Sequence, residues 1–166
     1  MKCAGVVPQL EAAVLDEAKP HKQRMHSLWS LAGGNALSPS FASKLLTNSD
    51  ASLRSWAVRC IGRMHADNQH LASACATLAD DPSADVQLQV AIAAGKLQHI
   101  DALQTWVNVL AKCGDDALIP HIVWQNLHPR LPAESERLLQ LVEQVDLESA
   151  PGLAAMLTKV AEKLQD

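Results

Sequence analysis

"ASLRSWAVRCIGRM" (residues 51–64) and "ADVQLQVAIAAGKL" (residues 84–97) are offset by 33 in the numbering and share one apolar frame. Leu53 and Val86 coincide, as do Ala57 and Val90, Cys60 and Ala93, Ile61 and Ala94, Gly62 and Gly95, and Met64 and Leu97. The spacing i, i+4, i+7, i+8, i+11 lays these residues along one side of a helix. The second copy carries a further apolar pair, Leu88 and Ile92, on roughly the opposite side. A helix that is apolar on two sides needs cover from more than one neighbour. Another step of 33 reaches Ile119, Val123 and Leu127 in "DDALIPHIVWQNL" (115–127). A step back of 29 reaches Leu28, Leu31, Ala32 and Gly33 in "RMHSLWSLAGG" (24–34), a register open by one residue.

Each copy is preceded by a second apolar stretch: "PSFASKLL" (39–46), "QHLASACATLA" (69–79) and "DALQTWVNVLA" (101–111). Acidic or polar turns, "TNSD", "DDPSAD" and "GDD", divide the members of each pair and offer side-chain oxygens to the helix that follows. Residues 7–18, 133–144 and 153–165 read as further helices. Pro120 falls in a first helical turn, where its missing N–H costs little, Pro82 in a turn, and Pro129 with Pro132 after the helix that closes near Leu127. The pattern predicts about ten helices in five antiparallel pairs and no strand. A period near 33 with two helices per unit indicates a repeat architecture. The ankyrin signature T-P-L-H is missing, and the tetratricopeptide pattern needs a tyrosine that this chain does not have. The HEAT-like pattern, an acidic turn followed by V-R-x-x-A-x-x-x-L-G, fits "DASLRSWAVRCIG", although Gln87 replaces Arg54 in the next copy and interrupts a regular arginine–aspartate ladder. The expected fold is all-α: a right-handed α-solenoid of about five HEAT-like hairpins, one domain over residues 1–166. In such a stack the second helix of a middle repeat touches its own partner and both neighbours. That accounts for the wide apolar face of 84–97, with Gln87, Gln89 and Lys96 as its polar margin.

Composition agrees. Of 166 residues 48% are hydrophobic, with one Phe, four Trp and no Tyr, so alanine and leucine fill most apolar positions. The formal charge of −4 is unevenly spread. Residues 1–64 hold eight basic and four acidic side chains, a net of +4; the remainder holds six and fourteen, a net of −8. Cys3, Cys60, Cys75 and Cys113 form no C-x-x-C pair and read as small buried hydrophobes. No stretch has the length of a membrane span.

Chemical motifs are sparse. The chain contains no H-E-x-x-H, no P-loop, no G-x-G-x-x-G, no G-x-S-x-G and no C-x-x-C-H. Its seven histidines are dispersed, and Asp80–Asp81 and Asp115–Asp116 sit where helix starts favour negative charge. Trp56 and Trp106 are expected in the core and Trp124 at a flank. No catalytic residue, cofactor or metal is expected. The one surface that stands out is a row across successive repeats: Leu88 and Ile92 at the centre, Arg59 and Arg63 on one side, His121 and Gln125 on the other. An apolar centre with a polar rim suits a protein partner. A HEAT-like DNA-binding module of the alkylpurine glycosylase type is the alternative, but −8 over the C-terminal part opposes a phosphate backbone.

"RMHSLWSLAGGNALSP", "LLTNSDASLRSWAVRCIG", "DDPSADVQLQVAIAAG" and "GDDALIPHIVWQNLHP" occur in this order. Together they resemble the helical-repeat segment of large bacterial membrane-bound dehydrogenase-like proteins. In those, a β-propeller precedes HEAT repeats and a c-type haem domain often follows. The resemblance covers about residues 7–145 and implies a docking or spacer segment of a larger redox protein, with a protein partner or adjacent domains as its contacts. It implies an exported or membrane-associated parent; the segment itself carries no sign of compartment. The propeller is absent here, and no haem-attachment motif stands in this sequence, so catalytic and haem functions are not carried over.

Overall fold

The computed structural model describes residues 5–165; Cys3 lies outside them. The described residues form ten α-helices and no strand: α1 (Val6–Leu15), α2 (His21–Gly33), α3 (Pro39–Leu46), α4 (Ala51–Met64), α5 (Gln69–Ala76), α6 (Ala84–Ala94), α7 (Ala102–Lys112), α8 (Leu118–Leu127), α9 (Leu131–Val142) and α10 (Pro151–Gln165). The polar turns do what their side chains suggest. Ser38 accepts from the Phe41 N–H at the start of α3, Asp50 from Ser52 at α4, Asn68 from Leu71 at α5, and Asp101 from Gln104 at α7. Asp116 accepts from both Leu118 and Ile119 at 2.9 and 2.8 Å and caps α8. Each cap satisfies N–H groups that have no partner inside the helix.

Several boundaries differ from the sequence reading. The 69–79 stretch is α5 plus a 3-10 turn at Thr77–Asp80. The 84–97 stretch ends as a helix at Ala94, with Gly95 as its cap. Pro132 does not terminate a helix; it lies in the first turn of α9, while Pro129 sits in the 3-10 turn His128–Arg130.

Packing runs along the chain. α1 lies on α2, α3 on α4, α5 on α6 and α7 on α8. Across these pairs α4 packs on α6 and α6 on α8, while α3 packs on α5, which reaches α7 through the 77–80 turn. The fifth expected pair behaves differently: α9 and α10 each pack on α7, and α10 also on α8. α6 therefore touches α4, α5, α7 and α8, and it is covered on both sides. Val86, Val90, Ala91, Ala93 and Ala94 are buried. Leu88 is half-buried against the core. Trp106 is fully buried and donates its indole N–H to the Ala91 carbonyl at 3.0 Å, tying α7 to α6.

A side-chain ladder runs through the helix starts. Arg54 sends Nη1 back to the carbonyls of Asn48 and Ser49, at 2.8 and 3.0 Å, and forks Nε and Nη2 forward onto Asp81 at 2.7 and 2.8 Å. Arg24 repeats the move: Nε donates back to Val14 O at 2.9 Å and Nη1 lies 3.6 Å from Asp50. Gln87, the counterpart of Arg54 in the next copy, donates back to Asp81 O at 2.9 Å and forward to Lys112 O at 3.5 Å. Gln87 is thus buried, not marginal, and an amide continues through backbone carbonyls what arginine does through a carboxylate. The equivalence of Arg24 with Arg54 moves the first register by one from the expected 29. The next position in the series is Pro120, whose side chain has no donor, and the ladder stops there.

Candidate functional site

The ladder occupies the N-terminal ends of α2, α4 and α6; the outward sides of the same helices carry the residues with free chemistry. His26 and Trp29 of α2 stand with ring centroids 5.3 Å apart. Trp29 meets Trp56 of α4 at 5.7 Å with the ring planes inclined by 54°. Arg59, on the next turn after Trp56, lays its guanidinium over the Trp56 ring at 5.0 Å, within cation–π range. Trp29 remains 43% exposed. Trp56 is half-buried, which corrects its expected place in the core: α2 and α4 do not close over it, and it spends its outer surface on Trp29 and Arg59.

A cleft of about 380 Å³ opens beside this cluster, lined by Trp29, Trp56, Arg59, Arg63 and Lys96 over a floor that includes Gly33 and Cys60. A smaller one of about 190 Å³ adjoins it and shares Arg59 and Lys96, adding Gln89 and Ile92. On the other flank of the two indoles, His21, Lys22, Ser52 and Asp85 help line a third, of about 460 Å³. Among the described residues Arg59, Arg63 and Lys96 make no ion pair. Arg63 is fixed from behind, donating Nη2 to the Ala32 carbonyl. Burial pushes the Cys60 thiol pKa up, and the charges of Arg63 and Arg59 only partly offset this, so burial favours the neutral thiol.

The expected row is brought together only in part. Arg59 and Ile92 share a cleft, and Arg59 and Arg63 share the next. Leu88 is turned toward the core, and its counterpart Ser55 is buried, bonded to the Ser52 carbonyl. His121 and Gln125 are exposed on α8 and hydrogen-bond each other at 2.9 Å, away from these clefts. Trp29 and Lys96 belong to the site and were not in the row. Lys96 could have been found, since it is the counterpart of Arg63 one repeat later. For Trp29 a shift of 29 gives no outward signal, since it aligns with Val58, but the shift of 30 that pairs Arg24 with Arg54 makes it the counterpart of Arg59 and Ile92.

The chain matches no family model, no curated protein and no solved structure. The face must be read from its own chemistry.

Other places carry less. A cleft of about 520 Å³ lies between the 77–80 turn, α7 and residues 144–149 and brings Asp80, Asp146 and Lys112 with neutral side chains. Asp116 serves the start of α8, as expected; Asp81 serves Arg54 and the Ser83 N–H instead. Among the described residues no group of three or more His, Cys, Asp and Glu is placed to hold a metal ion. No described helix is long and apolar enough to cross a membrane.

Proposed function

We propose that this chain is a right-handed α-solenoid of HEAT-like repeats that works as a docking and spacing module without chemistry of its own. It presents the face of α2, α4 and α6 to a protein partner or to an adjacent domain of a larger redox protein. The ladder of Arg24, Arg54 and Gln87 supports the repeat reading, because the same tether recurs at equivalent helix starts. The observation that carries the docking role is the outward cluster of Trp29, Trp56, Arg59, Arg63 and Lys96. Tryptophan and arginine are the side chains most often found at the energetic centres of protein interfaces. The exposed Val6 at the start of α1 suits a spacer that meets a neighbour there, whereas Leu153, Met156 and Val160 of α10 are buried and offer no such surface at the other end.

The test is a selection from a random-peptide display library on the immobilised protein. The reading expects recovered peptides to lose binding to the Trp29→Ala/Arg59→Ala variant. Recovery of peptides indifferent to that change would remove the face from consideration. A second reading, a DNA-binding module of the glycosylase type, draws on the same indoles and cations. The two indoles, however, already contact each other at an incline, leaving no parallel slot for a base. Duplex DNA retarded in a gel at low salt, and released by Arg63→Glu, would favour that reading.

A further inference from the structure

We propose that the cleft among Trp29, Arg59, Arg63 and Lys96 binds an extended acidic peptide segment, an apolar side chain lying on Trp29 and carboxylates reaching the three cations. The inference rests on the docking reading above and names the chemistry of the partner.

Three observations lead to it. First, the charge is unanswered. Arg59, Arg63 and Lys96 converge on one cleft and none has a carboxylate partner among the described residues. Asp85, an acidic side chain on this face, lines the cleft on the far side of the indoles. Guanidinium groups form charge-assisted hydrogen bonds with carboxylates, and Arg63 is held in place through Nη2 by the Ala32 carbonyl while Nε and Nη1 make no hydrogen bond among the described residues.

Second, the aromatic part suits a peptide better than a nucleobase. The Trp29 ring lies 5.3 Å from His26 and 5.7 Å from Trp56 between centroids, with the planes inclined by 35° and 54°. That leaves no pair of parallel rings between which a base could be sandwiched. An aliphatic side chain needs only the exposed edge and rim of the indole.

Third, the intervals fit. Trp29, Arg59 with Arg63, and Lys96 belong to three successive helices of the face; α4 packs on α6, packed helices run about 8–10 Å apart, and Trp29 reaches α4 through Trp56. A polyproline II segment has three residues per turn and rises about 3.1 Å per residue, so every third side chain returns to the same face about 9 Å further on. A segment crossing the helices therefore sets an apolar residue on Trp29, an acidic residue three positions on at Arg59 and Arg63, and a second acidic residue three further at Lys96. A cleft of about 380 Å³ receives side chains and not a folded domain, so the partner offers an extended segment of polyproline II type.

The experiment measures fluorescence anisotropy of a labelled short peptide with one leucine followed by glutamates three and six positions later, all other residues being serine or glycine. A twin carries glutamine in place of both glutamates, and a single-stranded oligothymidine of similar charge is the third probe. The glutamate peptide is expected to bind about tenfold or more tighter than its twin, and to weaken on going from about 50 to about 300 mM NaCl as screening grows. Arg63→Glu and Lys96→Glu, both at exposed positions, are each expected to weaken it about tenfold, with circular dichroism checking that the helices remain. Equal binding of the glutamine twin overturns the proposal, as does indifference to both charge reversals. Tighter binding of the oligothymidine, lost in the same variants, assigns the face to nucleic acid and also overturns it. If library peptides depend on Trp29 while the glutamate peptide does not bind, the docking reading stands and only the acidic partner falls.

Discussion

Asp81 shows how much one side chain holds. Burial opposes its ionisation, but the Arg54 hydrogen bond, the Ser83 N–H and the Arg54 charge outweigh it and keep its pKa below the usual carboxylate value. A carboxylate depressed in the folded state contributes stability above its unfolded pKa and loses it as pH falls through the folded value. We expect urea midpoints of the wild type to drop below about pH 4, with Asp81→Asn showing a flatter acid limb. At neutral pH Asp81→Asn should cost about 1.5–3 kcal/mol, the range for a hydrogen bond to a charged group. Gly152 is a second single point of constraint. A Cβ there would lie 2.4 Å from Cys113 Sγ and 3.0 Å from the Leu110 carbonyl, so α10 approaches α7 as only glycine allows. Gly152→Ala is expected to lower stability by about 1–3 kcal/mol in thermal or urea unfolding.

At the scale of elements, α3 and α4 occupy the residues the sequence pattern marks, 39–46 and 51–64, because a polar cap precedes each and the apolar spacing stays in register throughout. α8 depends on one carboxylate for its first turn. Asp116→Ala should cost about 1 kcal/mol and raise amide exchange at Leu118 and Ile119 well above that of Val123. The ends of elements were less legible. Gly95 stops α6 short of Leu97, since the cap is decided by the turn and not by the apolar frame. Pro132 opens α9 because a proline after one helix is equally suited to the first turn of the next. The candidate site was half legible for a related reason. Arg59 and Arg63 announce themselves by charge, whereas Trp29 and Trp56 fall on an apolar stripe that looks the same whether or not a neighbour covers it. Gln87 misled in the opposite direction: a polar residue reads as surface until the carbonyls it serves are in view.

For the whole molecule, α3 to α8 pack pair upon pair, whereas α1 and α2 pack chiefly on each other, so stability should vary with position along the chain. α4, α6 and α7 carry long runs of buried residues, whereas α1 buries only Val14 and α9 only Leu131, Leu138 and Val142. Native-state hydrogen exchange is expected to be slowest in α4, α6 and α7 and fastest in α1 and α9. Uniform protection over all the described helices would mean a single cooperative unit with no gradient along the chain.

The close approach of Gly62 to Ala93, with a Cβ at Gly62 3.1 Å from that of Ala93, has a bearing on recognition. Together with the Arg54–Asp81 fork it clasps α4 and the α6 hairpin at both extremities. The backbone interval from Arg63 to Lys96 is then fixed, and only the two side chains can adjust. Such a surface selects by interval more than by residue identity: exchanging glutamate for aspartate on a ligand should be tolerated, while sliding one carboxylate along by a single position should not.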